Sequence, residues 1–209
     1  EKNLWGARLA LEYQPADGAL WYASISRGYR GNGVNAVVLA SAGTTANPEQ
    51  EALLAGLGRF DEETLLNYEL GYKAEALDGS LRSRLALFYM DRDDQQVKGS
   101  VPLPREDGST AFFDYINNAA RGHNYGLELE LDWLVNASLE LYANLGLLDA
   151  SFDRYINADG VDLAGREQAH APSYQAALGG RLALTEHVYA RVDVEARDSF
   201  YFSDRHDVR

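Results

Sequence analysis

The sequence predicts an all-β chain, an antiparallel up-and-down segment of about eight strands from a transmembrane β-barrel. Three observations carry that expectation. Apolar and polar residues alternate with period two over much of the chain, the spacing that places successive side chains on opposite faces of a strand. The alternating runs are about ten residues long, beyond the ~5–6 usual for soluble strands and close to the ~9–11 that a tilted strand needs to cross a bilayer. Short turns and long loops alternate between the runs, as in barrels whose two ends face different compartments. A soluble sandwich or lipocalin also shows period two, with its apolar face turned into a core, so a soluble β-protein stays open as the alternative.

The elements follow in order. Strands are expected at residues 5–14 and 19–28, joined by the Pro15-Ala16-Asp17-Gly18 turn. Residues 29–63 form the first long loop. Within it Asn47-Pro48-Glu49-Gln50 supplies an N-cap, a proline suited to the first helical position and a polar partner three residues on. Glu51-Ala52-Leu53-Leu54-Ala55 and Gly56 follow, so a short helix is expected there. Strands at 64–77 and 80–91 flank Asp78-Gly79, whose glycine suits the positive φ of a tight hairpin. Residues 93–118, rich in Gly, Asn, Asp and Pro, read as the second long loop. Tyr125, Leu127, Leu129, Leu131 and Trp133 then alternate with Glu128, Glu130 and Asp132, and Leu139, Leu141, Ala143, Leu145 and Leu147 with Glu140, Tyr142 and Asn144. Asn136-Ala137 turns between them. A third loop covers 153–172, and strands at 173–185 and 188–197 meet at Thr185-Glu186. Trp5, Tyr13, Trp21, Tyr22 and Trp133 lie near the short-turn ends, and Tyr89, Tyr155, Phe200 and Tyr201 toward the long-loop ends. That distribution suits two interfacial girdles.

Composition narrows the function. The 209 residues are 46% hydrophobic and 24% charged, with a net charge of −13, so a nucleic-acid backbone would be repelled and no nucleic-acid partner is expected. The absence of cysteine removes disulfide frameworks, thiolate nucleophiles and Cys-ligated zinc. Apolar runs such as residues 85–90 fall far short of the ~18 residues of a spanning helix, which excludes a helical membrane protein but leaves a barrel open.

Several stretches resemble one family. Ser26-Arg27-Gly28-Tyr29-Arg30-Gly31-Asn32-Gly33-Val34-Asn35 is similar to a strand end and glycine-rich loop opening. Glu62-Glu63-Thr64-Leu65-Leu66-Asn67-Tyr68-Glu69-Leu70-Gly71-Tyr72-Lys73 is similar to the family's most recognisable barrel strand. Leu87-Phe88-Tyr89-Met90-Asp91-Arg92-Asp93-Asp94-Gln95-Gln96-Val97 and Asn118-Ala119-Ala120 with Tyr125-Gly126-Leu127-Glu128-Leu129-Glu130 continue the match, with Asn144-Leu145-Gly146-Leu147-Leu148-Asp149-Ala150, Gly165-Arg166 and Ala171-Pro172 after them. In this order and spacing the chain resembles the barrel of TonB-dependent outer-membrane receptors. The resemblance implies location in the outer membrane of a Gram-negative bacterium. It also implies energy-coupled import of a scarce ligand, most often a ferric siderophore, with no cofactor and no enzymatic activity. Its implied partners are TonB, a plug domain, outer-membrane lipid and lipopolysaccharide. A non-transporting barrel that binds a ligand or partner is the competing expectation. Family barrels have about 22 strands; residues 1–209 are therefore expected to be part of the barrel domain, without the plug or the closing C-terminal strands.

Candidate sites are few. Aromatic and basic loop residues suit the rings and anionic charge of a ferric chelate, which selects Tyr29, Arg30, Arg59, Phe60, Tyr155 and Arg166. Asp91, Asp93 and Asp94 cluster at a strand end, but Arg92 sits among them and a solvated acidic end is expected rather than a calcium site. His123, His170, His187 and His206 are isolated, and no metal site is expected. A hydrolase would need a nucleophile paired with histidine at the barrel rim. His170 with Ser173 and His206 with Asp204 are the sequence neighbours that offer one, outside any recognised motif, and no catalytic residue is assigned. Glu128 and Glu130 share a face as paired carboxylates do in glycosidases, but read as solvated wall. Finally, Glu69, Lys73, Arg84, Glu128, Glu130, Arg191, Asp193 and Glu195 put too much charge on one face to fill a closed eight-strand lumen. An open curved sheet is expected, with unpaired edges at 4–13 and 188–197 that make the isolated chain prone to aggregate.

Overall fold

The computed structural model describes residues 4–42, 47–105, 107–157 and 160–203. Eight strands make one antiparallel sheet in chain order: β1 (Ala7–Ala16), β2 (Ala19–Arg30), β5 (Glu63–Ala76), β6 (Leu81–Pro104), β7 (Thr110–Asn136), β8 (Leu139–Tyr155), β9 (Tyr174–Ala183) and β10 (Tyr189–Arg197). Between β2 and β5 lie a two-stranded ribbon, β3 (Gly33–Val34) with β4 (Arg59–Phe60), and two helices, α1 (Ala36–Ala42) and α2 (Pro48–Gly56). Among the described residues β1 does not pair with β10. The sheet is open, and both edge strands are exposed along their whole length.

Register defines the two faces, because residues directly opposite each other point the same way. One row runs Leu11, Ala23, Leu70, Leu87, Leu127, Leu147 and Tyr174 across seven strands. A row three residues away, and so on the other face, runs Leu20, Lys73, Arg84, Glu130, Asn144, Ala177 and Glu195. Leu129, Leu141, Leu145, Val192 and Val194 belong to the apolar face, with Glu128, Glu140, Asp193 and Glu195 on the charged one. No closed core covers the apolar face: Leu70, Leu87, Leu147, Val192 and Val194 are exposed. On the charged face Arg84 pairs with Glu130 at 2.6 Å and Arg82 with Glu75 at 3.2 Å, all more than half exposed. Pairs this solvated set the wall's polarity more than its stability.

Aromatic rings bound the apolar face. Trp21 packs on Tyr72 at 4.5 Å near the short turns. At the other end Tyr68, Tyr89, His123 and Tyr125 form a ladder with centroids 5.9–6.5 Å apart. Tyr125 and Trp133 are about 27 Å apart along β7 at ~3.4 Å per residue, comparable with the ~25 Å apolar band of a tilted barrel wall. Tyr22 departs from its expected place in a girdle. It lies on the charged face, where its hydroxyl donates to Glu69 at 2.7 Å. Tyr155 is buried in a loop cluster, and Phe200 and Tyr201 lie beyond the end of β10.

The short turns form where their residues allow. Leu77, Asp78 and Gly79 take positive φ between β5 and β6, and the Asn136 side chain accepts from the amides of Ser138 and Leu139. In the first loop Asn47 caps α2 by accepting from Glu49 N at 2.9 Å, as expected; α1 was not anticipated.

The expected second loop is overturned. Residues 93–118 are not a loop: β6 and β7 run on as a paired ribbon to Pro104 opposite Thr110. Gly99, Pro102 and Pro104 masked the strand in the sequence. Proline is tolerated here because β5 has ended and this part of β6 has a free edge.

The ribbon departs from the wall through two bulges. Arg92 opposes Gly122, Gln95 opposes Ala120 and Gln96 opposes Asn118, so β6 carries one extra residue and β7 answers with another two residues later. Asp94 takes φ +53° to make the first. The odd-numbered residues of β6 that form the apolar face of the wall, Leu85, Leu87 and Tyr89, are thereby continued on the opposite side by Gln95, Val97, Val101 and Leu103.

Candidate functional site

Because of that inversion, the apolar side of the ribbon continues the charged side of the wall, and the loops pack on it. Val38, Ala42 and Leu54 of the helices bury against Leu103 and Tyr115. Phe152 and Tyr155 at the end of β8, which runs past the expected loop start at 153, bury with Leu163 of the third loop against Val97 and Ala120. The ribbon is therefore the shared support of a canopy built from both loops.

Polar side chains fasten the canopy to the free edges of the ribbon. Asn35 acts as a substitute strand: its Oδ1 accepts from Ile116 N at 3.0 Å while its Nδ2 donates to Ile116 O at 2.8 Å and Leu57 O at 2.6 Å. Glu63, 6% exposed, accepts from Arg92 Nη2 at 2.6 Å and from Gln96 N at 2.9 Å. Gln96 Nε2 donates onward to the carbonyls of Gly31 and Asp61, and Asn118 bonds Asp61 on both backbone atoms. In the third loop Gln168 Nε2 donates to Asn124 Oδ1 and Ser151 O. Gly122 is required there, since a Cβ would fall 2.7 Å from Ser151 O. At the ribbon's tip Asp107 accepts from the Ser109 hydroxyl at 2.6 Å and its amide at 2.9 Å, and these bonds hold its carboxyl below the usual range.

The six candidate ligand residues fall into two groups. Tyr29 and Arg30 end β2, opposite Thr64 and Glu63, and both are exposed. Arg59 is exposed on β4, while the Phe60 ring covers Gly33 so closely that a Cβ there would lie 2.4 Å from it. These four sit at the base of the first loop. Tyr155, 5% exposed and 4.9 Å from Phe152, supports the third loop from within. Arg166 is half-buried beside it, its carbonyl accepting from Phe152 N.

The acidic strand end is neutralised. Arg121 reaches Asp91 and Asp93, each at 3.1 Å, and among the described residues no group of three or more His, Asp or Glu could hold a metal. Among the described residues, the His170 and Ser173 neighbours engage other groups. Ser173 donates to Asp198, His170 packs on Phe200 and Phe202, and His206 with Asp204 lies outside the described residues. Sequence adjacency missed a different arrangement. His123 Nδ1 lies 2.7 Å from Asp153 Oδ1, and its Nε2 lies 3.3 Å from Ser151 Oγ.

Residues 2–205 match the family model described as TonB dependent receptor-like, beta-barrel. The chain belongs to the TonB-dependent receptor family. It is a protein of the Gram-negative outer membrane, its apolar face is the lipid-facing side of the wall, and its eight strands correspond to a segment of a larger barrel. The ferric yersiniabactin uptake receptor of Yersinia pestis superposes with a TM-score of 0.71 at 21% identity, over 96% of this chain and 27% of that one. The ferric preacinetobactin receptor of Acinetobacter baumannii gives 0.65 at 17%, over 96% and 26%. The ferric citrate transporter FecA gives 0.65 at 16%, over 98% and 27%. The chain thus spans about a quarter of the length of these receptors and transporters.

Proposed function

We propose that this TonB-dependent receptor chain forms part of the wall and outer canopy of a barrel that imports a ferric siderophore by TonB-coupled transport, leaving the ligand chemically unaltered. In this reading a plug domain and further strands complete the barrel. The observation that carries it is the canopy: two loops fixed to one ribbon and placed over the charged side of the wall by paired bulges. Wall strands alone need no such device. Arg30, Arg59 and Arg166 supply positive charge for an anionic chelate, Tyr29 and Phe60 supply ring surfaces, and Tyr155 holds the third loop in place.

The test is uptake of radioactive iron by cells carrying the full-length receptor, supplied as ferric catecholate, phenolate and citrate chelates, with and without TonB. Saturable uptake of one chelate that requires TonB is the expected result, with a raised half-saturation concentration in the Arg30→Ala, Arg59→Ala double variant. No TonB-dependent uptake of any ferric chelate overturns the reading.

A further inference from the structure

We propose that Ser151, His123 and Asp153 form a second site, independent of import: an ester-cleaving nucleophilic centre on the outer, lipid-facing wall at the level of the upper aromatic ladder. The three groups have the order that nucleophilic catalysis by serine requires, hydroxyl to imidazole to carboxylate. A proton on His123 Nδ1 donates to Asp153 Oδ1 and leaves Nε2 to accept from the Ser151 hydroxyl, so one tautomer satisfies both contacts.

Three features hold the arrangement. His123 and Ser151 are direct cross-strand partners, which fixes them on one face. The imidazole lies nearly parallel to the rings of Tyr89 and Tyr125, themselves direct cross-strand partners, at interplanar angles of 14° and 11°, so its plane is set by packing. Asp153 is the extra residue of a bulge, since Arg121 opposes Arg154 and Gly122 opposes Phe152, and this puts Asp153 on the face of Ser151 and His123. Arg154 shares that face and has no hydrogen-bond or ionic partner among the described residues, which leaves its guanidinium available to an oxyanion.

Position defines the substrate class. Leu87, Leu127 and Leu147 form the row immediately below the ladder, so an acyl chain lying along the wall brings its ester to the serine. The substrate is a carboxylic ester of an amphiphile. Ser151 Oγ bonds to the carbonyl carbon and its proton passes to His123 Nε2. The carbon–oxygen bond to the alcohol then breaks, and the alcohol leaves with that proton. Water adds to the acyl-serine, again giving its proton to Nε2; the acyl–Oγ bond breaks, the carboxylic acid departs and Oγ is reprotonated.

The test treats the purified full-length receptor in detergent with a fluorescent fluorophosphonate and locates the adduct by peptide mass spectrometry. An adduct on Ser151 is expected, lost in Ser151→Ala and slower by about a hundredfold in His123→Asn. Hydrolysis of p-nitrophenyl octanoate should exceed that of Ser151→Ala by a similar factor. No adduct on Ser151 in a receptor that still imports iron overturns the proposal, as does undiminished labelling in His123→Asn. Retained heat-modifiable migration on gels verifies that each variant is folded. Labelling in a receptor that imports no ferric chelate sinks the import reading alone.

Discussion

Burial makes individual side chains of the canopy indispensable in a way that wall charges are not. The Glu63 and Arg92 side chains, 8% and 24% exposed, have few solvent alternatives. Glu63→Ala leaves a largely buried cation unpaired and should cost on the order of 3–5 kcal/mol, measured as a fall in the unfolding midpoint of the full-length receptor in detergent. Arg84→Ala, at the half-exposed Arg84–Glu130 pair, should cost under about 1 kcal/mol. Gly126 makes a prediction of the opposite kind, because a Cβ there would sit 2.2 Å from the Leu147 carbonyl and 2.7 Å from the Phe88 ring. Gly126→Ala should destabilise by about 1–3 kcal/mol through overpacking, with the polar wall otherwise intact. The sequence marked Gly126 within a recognisable motif, but nothing in it distinguished buried Glu63 from the solvated Glu128.

Among elements, what was legible in the sequence is what depends on local chemistry. Alternation gave the faces of β7, β8 and β10, Asp78-Gly79 and Asn136 gave turns, and Asn47-Pro48 gave the start of α2. The extended ribbon was not legible, because two single-residue insertions carry no composition signal and prolines on a free edge imitate a loop. Ser151 and His123 could have been found, since every pair in the regular part of β7 and β8, from Leu127 with Leu147 to Trp133 with Leu141, is centred on the Asn136 turn. Register arithmetic would have joined them where sequence adjacency did not. Asn35→Ala removes two hydrogen bonds between loop and ribbon and a third within the loop. It should expose residues 36–58 to limited proteolysis while heat-modifiable migration of the barrel stays unchanged. The tip turn should respond to acid. The Asp107 carboxyl is lowered on folding, so the turn's stabilisation is present above the ordinary carboxylate value of ~3.9 and is lost as pH falls through the lower folded value. Faster amide exchange at Ser109 below about pH 4, absent in Asp107→Ala, is the expected signature.

For the whole molecule the open edges dominate. β1 and β10 each present a row of unshared backbone groups, and the apolar face carries exposed Leu, Val and Trp. Residues 1–209 produced alone should form sedimentable aggregates, and co-refolding in detergent with the remaining barrel strands should suppress them; a monodisperse monomer in plain buffer would count against the membrane assignment. The paired bulges act at this scale too. Like two frameshifts that cancel in register but not in phase, they let one unbroken alternation serve two solvents, lipid below and a packed protein interior above. They therefore work as a depth gauge, with Asp94 and Ala119 set above the aromatic ladder at which the membrane ends. Deleting both residues would restore a regular ladder and turn Val97, Val101 and Leu103 outward, giving a wall whose greasy band is too tall for its bilayer.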